Sequence, residues 1–261
     1  MKCKEVIEIL ERHSPAQLAE SWDNVGLLIG RTDKEVKRIM VALDAIDSVV
    51  KQAVEWKADM LITHHPLIYK AMMNITDDDF IGRRLVQLIQ SDIACYAMHT
   101  NFDIRGMAEL SAEYLKLTDK QVLQTTVVHN DGCSEGIGRV GRLPMAMKLD
   151  QLAEYVKECF ALKEVRVCGN FVTEVSRVAI STGSGKGMIG YALDAGAAVL
   201  ITGDIDYHTA IDARAQGLSI IDAGHFGTEI IFPKYLKQYL GKLCPDLQII
   251  EAKEDNPFKI L

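Results

Sequence analysis

No stretch of this chain stays apolar for the roughly 18 residues that a membrane-spanning helix requires, although hydrophobic residues fill 48% of its 261 positions. Paired cysteines are missing too. Cys3, Cys95, Cys133, Cys159, Cys168 and Cys244 are scattered, and no two of them form a C-x-x-C pair. That spacing argues against a zinc ribbon or a disulfide framework and predicts reduced thiols in a cytoplasmic protein. There is no excess of positive charge. A net charge of −7 gives no overall electrostatic footprint for nucleic acid. Acids interrupt the apolar positions of Met1-Lys2-Cys3-Lys4-Glu5-Val6-Ile7-Glu8, so a signal peptide is not expected there.

What is present is an alternation of short apolar runs with helical patterns. Arg38–Leu43, Asp59–Thr63 and Ile93–Met98 read as strands, and Ile46–Lys57 and Met107–Leu117 as helices. Thr76-Asp77-Asp78-Asp79 is a capping signature that opens a helix running to about Gln90. Such alternation predicts parallel strands joined by crossover helices. The rhythm breaks over 118–170, where His129-Asn130-Asp131-Gly132 and several glycines mark loops and a hairpin. It resumes in register. The segment from Arg177 aligns with that from Arg38 at an offset of 139 residues (177 − 38), and the same offset carries Leu61-Ile62-Thr63 onto Leu200-Ile201-Thr202. The expected architecture is therefore α/β, with two similar α/β lobes related by an internal repeat and strand ends converging on a shared dinuclear metal cleft. The first lobe is expected over 1–117, a connecting or inserted segment over 118–170, and the second lobe over 171–261.

Five residues with ligand chemistry fall just beyond predicted strands: His64, His65, Asp103, His225 and Glu229. In parallel α/β sheets, ligands collect outside the carboxyl ends of the strands. His64 and His65 are adjacent, and Pro66 behind them biases His65 towards an extended, non-helical turn. If the strand ends converge, three imidazoles and two carboxylates meet. This donor set suits zinc, manganese, iron, cobalt or nickel better than calcium. Five ligands exceed what one structural zinc needs and fit two divalent ions about 3.5–4 Å apart, with Glu229 as the expected bridge. The ions' four positive charges against two carboxylates leave a surplus that favours a hydroxide and an anionic substrate. His99, Asp204 and His208 are candidates for proton transfer or substrate contact. His13 and His129 are expected to be structural. Gly185-Lys186-Gly187-Met188-Ile189-Gly190 matches a G-x-G-x-x-G loop, but Gly187 follows the lysine where a P-loop needs Ser or Thr. Its expected role is to let backbone approach the metal cleft, with dinucleotide binding through 183–190 as an alternative.

At Trp22-Asp23-Asn24-Val25-Gly26-Leu27, Ile62-Thr63-His64-His65-Pro66, His99-Thr100-Asn101-Phe102-Asp103, Thr202-Gly203-Asp204 and Asp222-Ala223-Gly224-His225-Phe226-Gly227-Thr228-Glu229, the chain resembles the Nif-like dinuclear metal-centre proteins, the GTP cyclohydrolase 1 type 2 homologues. The resemblance spans nearly the whole chain. It implies two-lobed α/β subunits in ring-shaped homohexamers and metal binding by His64, His65, Asp103, His225 and Glu229. It also implies a hydrolase of the GTP cyclohydrolase kind, acting on GTP, another nucleotide or a phosphorylated small molecule. In GTP cyclohydrolysis a hydroxide held by the metals would open the imidazole ring of the base. A non-catalytic, metal-binding regulatory ring protein is the alternative expectation. Nucleic acid and membranes are not expected as partners.

Overall fold

The computed structural model describes residues 1–259, so the last two residues of the expected second lobe lie outside them. Its helices and strands build two sheets in two compact units. One unit comprises Met1–Phe102 and the residues from Phe232 on, the other Asp103–Ile231. No helix among the described residues is long and apolar enough to cross a membrane.

The first unit opens with α1 (Cys3–His13) and β1 (Gly26–Ile29). It continues through β2 (Arg38–Ala42), α2 (Asp47–Glu55), β3 (Met60–Thr63), α3 (Phe80–Gln90) and β4 (Ala94–Ala97). The short helix α4 (Thr100–Phe102) closes this stretch. As the Asp cluster predicts, α3 begins at a carboxylate, with Asp79 accepting from the Gly82 amide at 2.9 Å. Every residue of β3 and of β4 is buried. Such uninterrupted apolar runs belong to parallel strands covered on both faces. Met40, Leu61 and Cys95 from the strands meet Val49, Val50, Leu85 and Leu88 from α2 and α3 in one core.

The second unit starts with a π-helical turn over Asp103–Met107 and α5 (Ala108–Tyr114). The long antiparallel strands β5 (Thr118–Val128) and β6 (Ser134–Met147) follow, then α6 (Leu149–Phe160) and β7 (Arg166–Cys168). The chain proceeds through β8 (Val175–Ser184), α7 (Ile189–Asp194), β9 (Val199–Gly203), α8 (Tyr207–Ala215), β10 (Ser219–Asp222) and α9 (His225–Glu229). Residues 118–170, expected to link two lobes, instead contribute three strands to this unit's six-stranded sheet, ordered β5-β6-β8-β9-β10-β7.

The final segment, α10 (Ile231–Leu243) and β11 (Gln248–Glu251), also departs from the expected boundaries. Apart from the first residue of α10, it belongs with the first unit. β11 adds to β2 as a parallel edge strand with Gln248 opposite Arg38. Phe232 meets Phe102 edge-to-face, ring centroids 4.9 Å apart. Backbone pairing and an aromatic contact therefore decide its membership, and neither is visible in a local pattern. His13 is structural, as expected: its ring nitrogens meet the Ser14 and Tyr235 hydroxyls at 2.9 and 2.6 Å.

The internal repeat is present as strand order and register. The first sheet runs β1-β4-β3-β2-β11, and the second contains β7-β10-β9-β8 in matching order. β2 and β3 pair Ile39 with Met60, while β8 and β9 pair Val178 with Val199. Both partners shift by the same 139 residues (178 − 39 and 199 − 60). The units differ at the free edge of the equivalent strand, where one carries β11 and the other the β5–β6 hairpin.

Candidate metal centre

In the first unit, the chemistry-bearing residues sit where β2, β3 and β4 end. Beyond β3 the backbone still follows the neighbouring strand, with the His64 and His65 amides donating to the Ala42 and Leu43 carbonyls. The Thr63 hydroxyl donates to the His65 carbonyl at 2.8 Å and tightens the turn. His64 is fully buried and His65 partly so. Each histidine here has an oxygen on Nδ1. His64 Nδ1 lies 2.7 Å from the Met98 carbonyl, His65 Nδ1 2.9 Å from Asp44 Oδ1, and His99 Nδ1 2.8 Å from Asp23 Oδ1. A carbonyl or ionised carboxylate only accepts, so Nδ1 carries the proton and Nε2 carries the lone pair. This is the arrangement by which proteins prepare imidazoles for metal: the outer oxygen fixes the tautomer and raises ligand basicity. His64, His65 and His99 can each offer a ligand atom within 4.8 Å of the others.

The oxygens are themselves held. Burial acts to raise the Asp23 carboxyl, but hydrogen bonds from His99 and Thr100, with the charge of His99, outweigh it and hold the pKa down at about 2. Glu254 accepts the Leu43 and Asp44 amides at 2.7 and 2.9 Å, which fixes the turn that carries Asp44. Burial pushes the Glu254 carboxyl above its ordinary value.

The second unit repeats the layout at the ends of β8, β9 and β10. His225 begins α9, and Glu229 follows one turn later on the same helical face. His225 Nε2 lies 3.0 Å from Glu229 Oε2, and His225 Nδ1 lies 2.8 Å from Asp204 Oδ2. Carboxylates thus face both ring nitrogens of His225, so hydrogen bonding does not select one tautomer as it does in the first unit. Asp204, at the position equivalent to His65 by the 139-residue offset, steadies an imidazole rather than replacing one. The glycine loop comes close: a Cβ on Gly183, where φ is +67°, would stand 2.3 Å from Glu229 Oε1. The Gly183 amide donates to the Thr228 hydroxyl at 2.9 Å, so backbone does approach these side chains. Asp103 is half-buried in the π-helical turn at the start of this unit. His208 is not gathered in. It lies exposed on the first turn of α8, edge-on to the Tyr207 ring, and among the described residues it makes no hydrogen bond to His225, Asp204 or Glu229. Asp23 and Asp44 were not singled out as chemistry from the sequence, although Asp23 stands in the Trp-Asp-Asn motif and Asp44 just past β2.

The model of the family Duf34/NIF3 (NGG1p interacting factor 3) matches residues 1–257. The chain belongs to the Duf34/NIF3 family. Its Duf34/NIF3 relatives include a "GTP cyclohydrolase 1 type 2 homolog" of Clostridium perfringens, 34% identical over 265 residues and covering all of both chains. A protein of the same description from Streptococcus pneumoniae is 35% identical, with 99% of each chain covered. Among solved structures, a Bacillus cereus protein related to NIF3 superposes with a TM-score of 0.93 at 26% identity, covering 100% of this chain and 99% of that one. Reduced HcgD from Methanocaldococcus jannaschii gives a TM-score of 0.83 at 33% identity, with 97% and 98% covered.

Proposed function

We propose that this Duf34/NIF3 protein is a dinuclear metal-dependent hydrolase acting on a nucleotide or another phosphorylated small molecule. The observation that carries the reading is the repeated Nδ1–oxygen pairing of His64, His65 and His99, which leaves Nε2 as the lone-pair nitrogen three times within one cluster. His64, His65 and His225 supply imidazole ligands, and Asp103 and Glu229 supply carboxylates. Donors of this kind take zinc, manganese, iron, cobalt or nickel. Two divalent ions bound there would lower the pKa of coordinated water and offset the negative charge of a phosphorylated substrate. His99 is the proton carrier: the ionised Asp23 orients its ring and stabilises the imidazolium that forms when Nε2 accepts a proton. Asp204 orients the His225 ring through Nδ1. The relatives' description as GTP cyclohydrolase 1 type 2 homologs supports a nucleotide as substrate. The family resemblance further supports assembly as a homohexamer.

Glu229→Gln tests this. Loss of a buried anionic donor should lower both the metal content of the purified protein, read by elemental analysis, and its turnover of nucleotides and phosphoesters. Full metal occupancy with unchanged turnover would refute the reading.

A further inference from the structure

The geometry points to a nucleobase-stacking platform formed by Trp22 and Tyr69 beside the histidines of the first unit. This rests on the proposed hydrolase reading and names the part of the substrate that the platform receives. Trp22 is 56% exposed and Tyr69 54% exposed, an unusual state for two large rings in loops whose neighbouring residues are tied. Their centroids are 6.1 Å apart with planes at 65°, which makes a corner rather than a closed stack. Trp22 also meets His99 edge-on, with centroids 6.0 Å apart, so the corner adjoins the proton-carrying imidazole.

The tethers are specific. Asn24 Nδ2 donates to the Ile68 carbonyl at 2.5 Å and joins the loop of Trp22 to the loop of Tyr69. Asp23 is gripped by His99, the Thr100 amide and the Thr100 hydroxyl. The loops that carry the two rings are thus joined while the rings remain half-exposed. A flat heteroaromatic ring laid on one of them would cover apolar surface without ordering a mobile loop. Lys70, next to Tyr69, is exposed and has no carboxylate partner among the described residues, which suits the phosphate of the same ligand. Together these features select a nucleoside phosphate over a bare sugar phosphate.

The test uses the metal-loaded full chain with guanosine 5′-monophosphate and ribose 5-phosphate as probes. Trp22 and Trp56 are the two tryptophans, so a Trp56→Phe background isolates the emission of Trp22. The nucleotide should quench that emission, and ribose 5-phosphate should not. Trp22→Ala and Tyr69→Ala should each weaken nucleotide binding roughly tenfold, the scale of one base–aromatic stack. Trp22→Phe should retain most of the affinity, and metal content and ribose 5-phosphate affinity should hold throughout. Equal affinity for the two probes, or unchanged nucleotide binding in the alanine variants, would overturn the platform. So would an altered particle mass in Trp22→Ala with nucleotide affinity intact, which would assign the rings to a contact between copies. If metal binds and phosphoesters turn over without any base preference, the platform alone fails. If no metal binds, the hydrolase reading fails with it.

Discussion

Three imidazoles in this protein share one solution to a tautomer problem. Neutral histidine has two nitrogens and one proton, and a donor set works only if the lone pair points the right way. A carbonyl at His64 and carboxylates at His65 and His99 settle that choice. Gly183 solves a different problem. Its φ of +67° lies in the left-handed region, and its missing Cβ leaves room for Glu229. Gly183→Ala should therefore cost roughly 1–3 kcal/mol of stability through backbone strain and displace the Glu229 carboxylate, weakening metal affinity. Urea midpoints and a metal titration on the same variant check both effects; wild-type values in both would show that the loop has slack. The His-His-Pro turn and the His225/Glu229 spacing were legible as candidate ligand chemistry because they are local in the chain. Asp23 as the partner of His99 was not, since 76 positions separate them.

At the scale of elements, the β5–β6 hairpin is anchored to α5 by charge. Glu109 pairs with Lys120 and lies 3.2 Å from Arg139. Burial acts to raise the Glu109 carboxyl, but these two cations prevail and hold it below its usual value. A depressed folded pKa means a contribution present above the unfolded value of about 4.3 and lost as the pH falls through the folded one. Glu109 is 43% exposed, so solvent screening keeps the contribution below about 1 kcal/mol. Glu109→Gln should be slightly less stable than wild type at pH 7, with the gap closing as the pH drops below 4. Chemical denaturation at pH 7 and pH 3.5 measures this, and a constant gap would remove the pair as its cause. The hairpin itself was readable from its Asn-Asp-Gly turn. Its membership of the second sheet was not, because pairing of β6 with β8 joins residues far apart in sequence.

For the whole molecule, the proposed homohexamer gives a direct expectation. Sedimentation velocity at micromolar concentration should show one species with the mass of six chains, and a monomeric species would refute the assembly. The fold class, the repeat and its 139-residue register follow from the sequence alone, because hydrophobic period and short turn motifs are written in neighbouring residues. Only the tertiary structure decided that β11 completes the first sheet, that His208 stands exposed against the Tyr207 ring, and which oxygen holds each Nδ1. Those outcomes depend on backbone pairing and side-chain contacts between distant residues, which leave no periodic trace in the chain.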